Sequence, residues 1–168
     1  PVYESLRAAQ ARHASGDLPC AIALCHEIVA QAPAHPTANM MFGLLLAQDR
    51  RHSSALPHLR LALAHTPGDP GLRATLATCL IELGDSQEAV VHLRQILAQD
   101  STNANVRFNL GRALLDMQNF VEAERVYAAF VADHPGDAEG FNHLGLARLG
   151  MGDPGAAERC FRAALGLY

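Results

Sequence analysis

The stretch FNLGRALLDMQNFVEAERVYAAFVADHPGD, residues 108–137, decides the fold. Apolar and small residues recur at helical spacing through Leu110, Gly111 and Leu114. A polar break follows, and the pattern resumes through Ala123, Tyr127 and Phe130 before closing on Pro135-Gly136-Asp137. A near-copy, FNHLGLARLGMGDPGAAERCFRAAL, starts at Phe141.

Working outward, the register extends along the whole chain. Ala21, Ala55, Ala89, Ala123 and Ala157 are each 34 residues apart, and Ala9, Gly43, Ala77, Gly111 and Gly145 keep the same step. Cys25, Leu59, Leu93, Tyr127 and Phe161 form a row of larger apolar residues. Pro33, Pro67 and Pro135 punctuate repeat ends, with Ser101 in the remaining place. A fixed period of this length marks stacked helix–turn–helix units rather than one globular core.

The repeats run 2–35, 36–69, 70–103, 104–137 and 138–168 in one continuous array. First helices are expected over 3–14, 37–48, 71–82, 105–116 and 139–150, and second helices over 18–31, 53–65, 86–99, 120–133 and 154–166. Each is roughly 20 Å long. Gly16-Asp17, Gly84-Asp85 and Gly152-Asp153 pair a residue that tolerates positive φ with a helix N-cap. Asp85 with Glu88, and Asn119 with Glu122, have capping-box spacing. Arg50-Arg51 replace the Gly-Asp pair in the second repeat, where Pro57 is expected to delay or bend the helix. The small rows mark close backbone approaches, and Gly111 is expected to face Ala123 across one of them.

Bulk composition narrows the function. The 168 residues are 49% hydrophobic and 18% charged, as in a folded protein. A net charge of -4, with 13 basic residues scattered and all arginine, argues against nucleic-acid binding. No apolar run is long enough to span a bilayer. Cys25 and Cys79 fall in rows expected to be buried, and four cysteines so placed read as free thiols. That favours a reducing, cytoplasmic setting. A periplasmic address stays open, because the first residue is Pro1 rather than methionine.

The two quoted strings resemble tetratricopeptide (TPR) repeats, and the pattern covers nearly the whole chain. The first repeat departs most, with Ser5, Ala8 and Arg12 where the family prefers large apolar residues. The resemblance implies an all-α, right-handed superhelical array of five TPR units (an alpha-alpha superhelix). Its first helices would line a concave groove that binds a peptide or another protein, without chemistry of its own. By helical geometry that groove comprises Arg7, Gln10, Met40, Met41, Leu44, Thr75, Thr78, Asn105, Phe108, Asn109, Arg112, Asn142 and His143. Leu6, Gln48, Ala74, Glu82, Asp116 and Leu146 belong to the same faces. Some TPR grooves grip a C-terminal carboxylate with Lys, Asn and Arg. Asn109 matches the asparagine of that clamp, but Ala74, Thr78, Glu139 and His143 stand where its basic partners belong. A carboxylate needs charge-assisted donors, so a clamp of that type is not expected.

Other chemistry finds little support. His58 and His65 lie two helical turns apart, and His58 and His92 hold one place in consecutive repeats, read as the outer surface of second helices. Aligned histidines without a carboxylate or thiolate make no metal site, so no metal or cofactor is expected. Asn142 with His143, or Cys160 with a histidine, lacks a third partner and an oxyanion site, so the chain is not read as an enzyme.

The leading expectation is a protein-interaction scaffold. The alternatives are the non-catalytic TPR region of a larger glycosyltransferase, sulfotransferase or oxygenase, and a secretion or assembly chaperone. At the C-terminal end Phe161, Leu165, Leu167 and Tyr168 make an apolar surface with no repeat after it in this sequence, and Arg148 stands where a large apolar residue belongs. Pairing with a second copy, as a homodimer, or an atypical continuation of the chain is expected there.

Overall fold

A computed structural model describes residues 2–167. They form ten helices: α1 Val2–Ala14, α2 Leu18–Gln31, α3 Pro36–Gln48, α4 His52–His65, α5 Pro70–Glu82, α6 Ser86–Leu97, α7 Ala104–Asp116, α8 Phe120–Asp133, α9 Ala138–Gly150 and α10 Pro154–Leu165. Among the described residues there is no strand, and no helix is long and apolar enough to cross a membrane. The fold is an all-α repeat. Residues 1–83 and 84–168 form two compact halves. Packing in the first runs α1·α2, α2·α3, α3·α4 and α4·α5, with α3 also touching α5. The second follows the same scheme from α6 to α10, with α7 touching α9.

The helices start where side chains can cap them. Asp69, Asn103 and Asp137 each accept the backbone N–H three residues on, at 2.9, 3.1 and 2.7 Å. His35 holds the same register place and caps α3 through its Nδ1, 3.3 Å from Ala38 N. Each of these caps satisfies an amide that the helix itself leaves without a partner. The tight turn within each repeat needs one residue at positive φ. Gly16, Gly84 and Gly152 supply it at +82°, +85° and +81°, whereas Arg50 and Gln118 are held at 60° and 57°.

Three local expectations are corrected. Helix α4 does not start late: it begins at His52 and carries Pro57 inside it. Pro57 removes one hydrogen bond, to Ser53, and both residues are exposed, so water can meet the released carbonyl. Asp85 makes no side-chain cap. Its intended partner Glu88 lies instead 3.6 Å from the half-buried His92, one turn along α6. Gly111 meets the ring of Tyr127 ahead of any atom of Ala123, and an added Cβ would lie 2.6 Å from that ring.

The last correction reveals a rule. Gly43 meets Leu59, Gly111 meets Tyr127 and Gly145 meets Phe161, always sixteen residues apart. The small residue of the first helix is the socket for the large residue of the second. The five phased alanines are fully buried beside these contacts. Tyr127 donates its hydroxyl to the Phe108 carbonyl at 3.2 Å, so the largest buried side chain leaves no polar atom stranded.

Candidate functional site

In the first half, α3 and α5 border an open cleft of about 470 Å³. Leu44, Ala47 and Gln48 line it from α3, His52 from the start of α4, and Ala74, Thr75, Thr78 and Cys79 from α5. No Asp, Glu, Lys or Arg is among them. Thr75 and Thr78 donate their hydroxyl hydrogens to the Gly71 and Ala74 carbonyls, both at 3.0 Å. They therefore offer methyl groups and acceptor lone pairs, but no donor. Gln48 accepts from His13 Nε2 at 2.8 Å, which orients its amide nitrogen as the available donor. Cys79 is buried, and burial pushes its thiol up to about 11, so it lines the cleft as a small neutral group.

The remaining first-half candidates divide. Arg7 and Gln10 are exposed on α1. Met40 is half-buried, and Met41 packs on the cluster of Leu6, Ile28 and Ala38. Leu6 is a core residue, not a groove residue, because α2 and α3 close over it. His52 and Ala47 were not marked by the sequence. Ala47 is a small residue of α3 beside the predicted groove face, and His52 enters from the first turn of α4, a second helix that the first-helix reading leaves out.

In the second half, the faces of α7 and α9 carry a different chemistry. Phe108 packs edge-on against Tyr127, Phe130 and His143, with ring centroids 5.5, 5.5 and 5.0 Å away. His143 stacks over Tyr127 at 5.2 Å and donates from Nδ1 to the Glu139 carbonyl at 2.9 Å. Phe108 and His143 are thus held as half-buried members of an aromatic cluster. Asn105 and Asn142 are exposed, and Asn109 and Arg112 are half-buried. Burial drives the Tyr127 phenol strongly upward, and Arg112, Glu139 and Asp116 near it give this face charges that the cleft lining of the first half lacks.

At the C-terminal end, Phe161 lies over Gly145. Leu165 is 71% exposed and Leu167 is exposed, while Tyr168 lies outside the described residues. His58 is not an outer-surface residue: its Nδ1 donates to Asn39 Oδ1 at 2.7 Å and its ring packs on Phe42. Among the described residues no group of three His, Cys, Asp or Glu side chains could hold a metal ion.

A tetratricopeptide repeat model matches residues 46–91 and 82–147, and a second one matches 138–168. The chain belongs to the tetratricopeptide repeat family. Residues before 46 fall outside these matches, and the first TPR repeat is the one whose sequence departs most from the family. No curated protein sequence matches the chain. Several solved structures share the TPR fold. MamA from Desulfovibrio magneticus RS-1 superposes with a TM-score of 0.88 at 17% identity, over 99% of this chain and 94% of that one. A second crystal structure of MamA gives 0.86 at 18%, over 99% and 91%. YrrB, described as a TPR protein with an unusual peptide-binding site, gives 0.85 at 20%, over 97% and 84%.

Proposed function

We propose that this chain is a protein-interaction scaffold that receives a peptide segment along the first-helix face of its first half, between α3 and α5. The observation that carries this is the neutral cleft. Aliphatic groups and threonine methyls line it beside the Gln48 amide, the His52 imidazole and the Cys79 thiol, no Asp, Glu, Lys or Arg is present, and its hydroxyls can only accept. A segment with an uncharged apolar side chain flanked by free backbone N–H groups fits it, and an acidic tail does not. The peptide-binding site named for YrrB supports the class of activity. The mechanism is preorganisation: packed helices order the walls before a ligand arrives, so association costs this partner little conformational entropy. The assignment is to binding, with no catalytic step.

Selection of a phage-displayed random dodecapeptide library on the purified chain tests this. Recovered peptides should carry a Leu, Ile, Val or Met anchor and should lose binding by tenfold or more, about 1.4 kcal/mol, on Thr78→Arg. Peptides that are predominantly acidic, or that bind Thr78→Arg unchanged, would overturn the assignment.

A further inference from the structure

The turn between α2 and α3 differs from its counterparts in one chemical respect. At the α5, α7 and α9 starts, the cap is a carboxylate or a carboxamide, Asp69, Asn103 and Asp137. At α3 it is an imidazole, His35, accepting through Nδ1. Four residues on, the difference repeats. Arg73 and Arg107 reach back to the carbonyls of Pro67 and Thr102 with permanently charged guanidinium groups. Asn39, only 1% exposed, does this at α3, donating to the carbonyls of Pro33 at 2.8 Å and His35 at 3.0 Å. Its own oxygen is held by His58 Nδ1 at 2.7 Å.

We infer that the α2–α3 junction is an acid-sensitive latch, closed while His35 and His58 are neutral and loosened when they take up protons. Two steps lead there. An imidazolium has two N–H donors and no acceptor, so protonated His35 cannot receive the Ala38 amide, and the α3 cap is lost. Protonated His58 can still donate to Asn39, but it carries charge into a half-buried place. Burial holds its imidazolium down, and His26 of α2, whose ring also packs on Phe42, adds repulsion. From α3 His58 meets Asn39 and Phe42, while Arg73 and Glu82 of α5 are engaged with Pro67 and Arg50. Facing His35, α1 presents Tyr3, edge-on at 5.7 Å.

The sign follows from linkage. A histidine whose folded form resists protonation contributes stability above its unfolded pKa, about 6.5, and loses it as the pH falls below that value. The His58 side of the latch therefore weakens as the pH falls below that value, and the His35 cap is lost wherever its ring is protonated. Helix α3 also carries Leu44 and Gln48, so the junction governs the order of the cleft wall.

Amide hydrogen exchange read by two-dimensional NMR at pH 7.5 and 5.5 tests this. After correction for the intrinsic rate, Ala38 protection should fall about tenfold or more in the native sequence. It should hold within about twofold in the double variant His35→Asp, His58→Gln, which supplies a cap and a donor that do not titrate in this window. Unchanged Ala38 protection in the native sequence overturns the inference, and so does an equal loss in the double variant. Should that variant not fold, the single variant His35→Asp decides in its place: a smaller loss of Ala38 protection than in the native sequence supports the inference, and an equal loss overturns it.

Discussion

At the scale of single residues, the sixteen-residue socket rule makes a sharp forecast. Gly111→Ala would push a methyl to 2.6 Å from the Tyr127 ring, which is itself fully buried and hydrogen-bonded and so has nowhere to retreat. The expected cost is about 1–3 kcal/mol in urea unfolding. Gly68→Ala is the control, since its Cβ would enter open space, and the midpoint should stay put or rise. Equal effects at the two sites would show that the socket is not tight. The turn residues give the opposite sign. Arg50 and Gln118 occupy the left-handed region at φ 60° and 57°, where a side chain costs about 1–2 kcal/mol. Glycine restores roughly 0.5–1 kcal/mol to the unfolded chain's entropy. Arg50→Gly and Gln118→Gly should therefore each stabilise by about 0.5–1 kcal/mol, and a lowered midpoint would contradict this.

At the scale of elements, α8 and α9 carry a polar replacement for part of the core pattern. Arg148 stands in the row of Leu46, Leu80 and Leu114, and Glu124 in the row of Ile22, Leu56 and Val90. The two meet, with Arg148 Nη2 and Nε donating to Glu124 Oε1 at 3.0 and 3.2 Å, while Nη1 reaches Cys160 Sγ at 3.2 Å. Both side chains keep about a quarter of their surface in water. Arg148→Leu alone should cost about 1 kcal/mol by leaving Glu124 without its partner. Combining it with Glu124→Val should restore native stability or exceed it, and a double variant weaker than the single would refute the row assignment. This pairing shows what the sequence could and could not convey. The rows marked Arg148 as out of place because the 34-residue register compares like positions of successive repeats. Glu124 as its partner depended on how α8 and α9 cross. The same limit explains Gly111, whose helix and row were legible but whose contact was not. Helix starts were legible to within a residue because Asp or Asn before Pro or a small residue is a local signal. The cleft was half legible: Leu44, Thr75 and Thr78 follow from the first-helix face, whereas His52 enters from another helix.

At the scale of the whole molecule, packed pairs within each half are neighbours in sequence or one helix apart. Contacts this local need little loop closure, so refolding should be complete within milliseconds, as in other helical arrays of low contact order. A dominant phase lasting seconds in stopped-flow dilution from urea would contradict the local topology. The same stacking sorts the four thiols. Cys25, Cys79 and Cys160 are buried, and burial pushes the first two up to about 11. Cys20, in the first turn of α2, is exposed, with the Asp17 carboxylate beside it holding its thiol up as well. The native protein thus comes with a single built-in attachment point for a fluorophore or spin label. Maleimide at pH 8 should add one mass increment under native conditions, slowly, and four in denaturant, so that a dye can be placed at the start of α2 without any engineered cysteine.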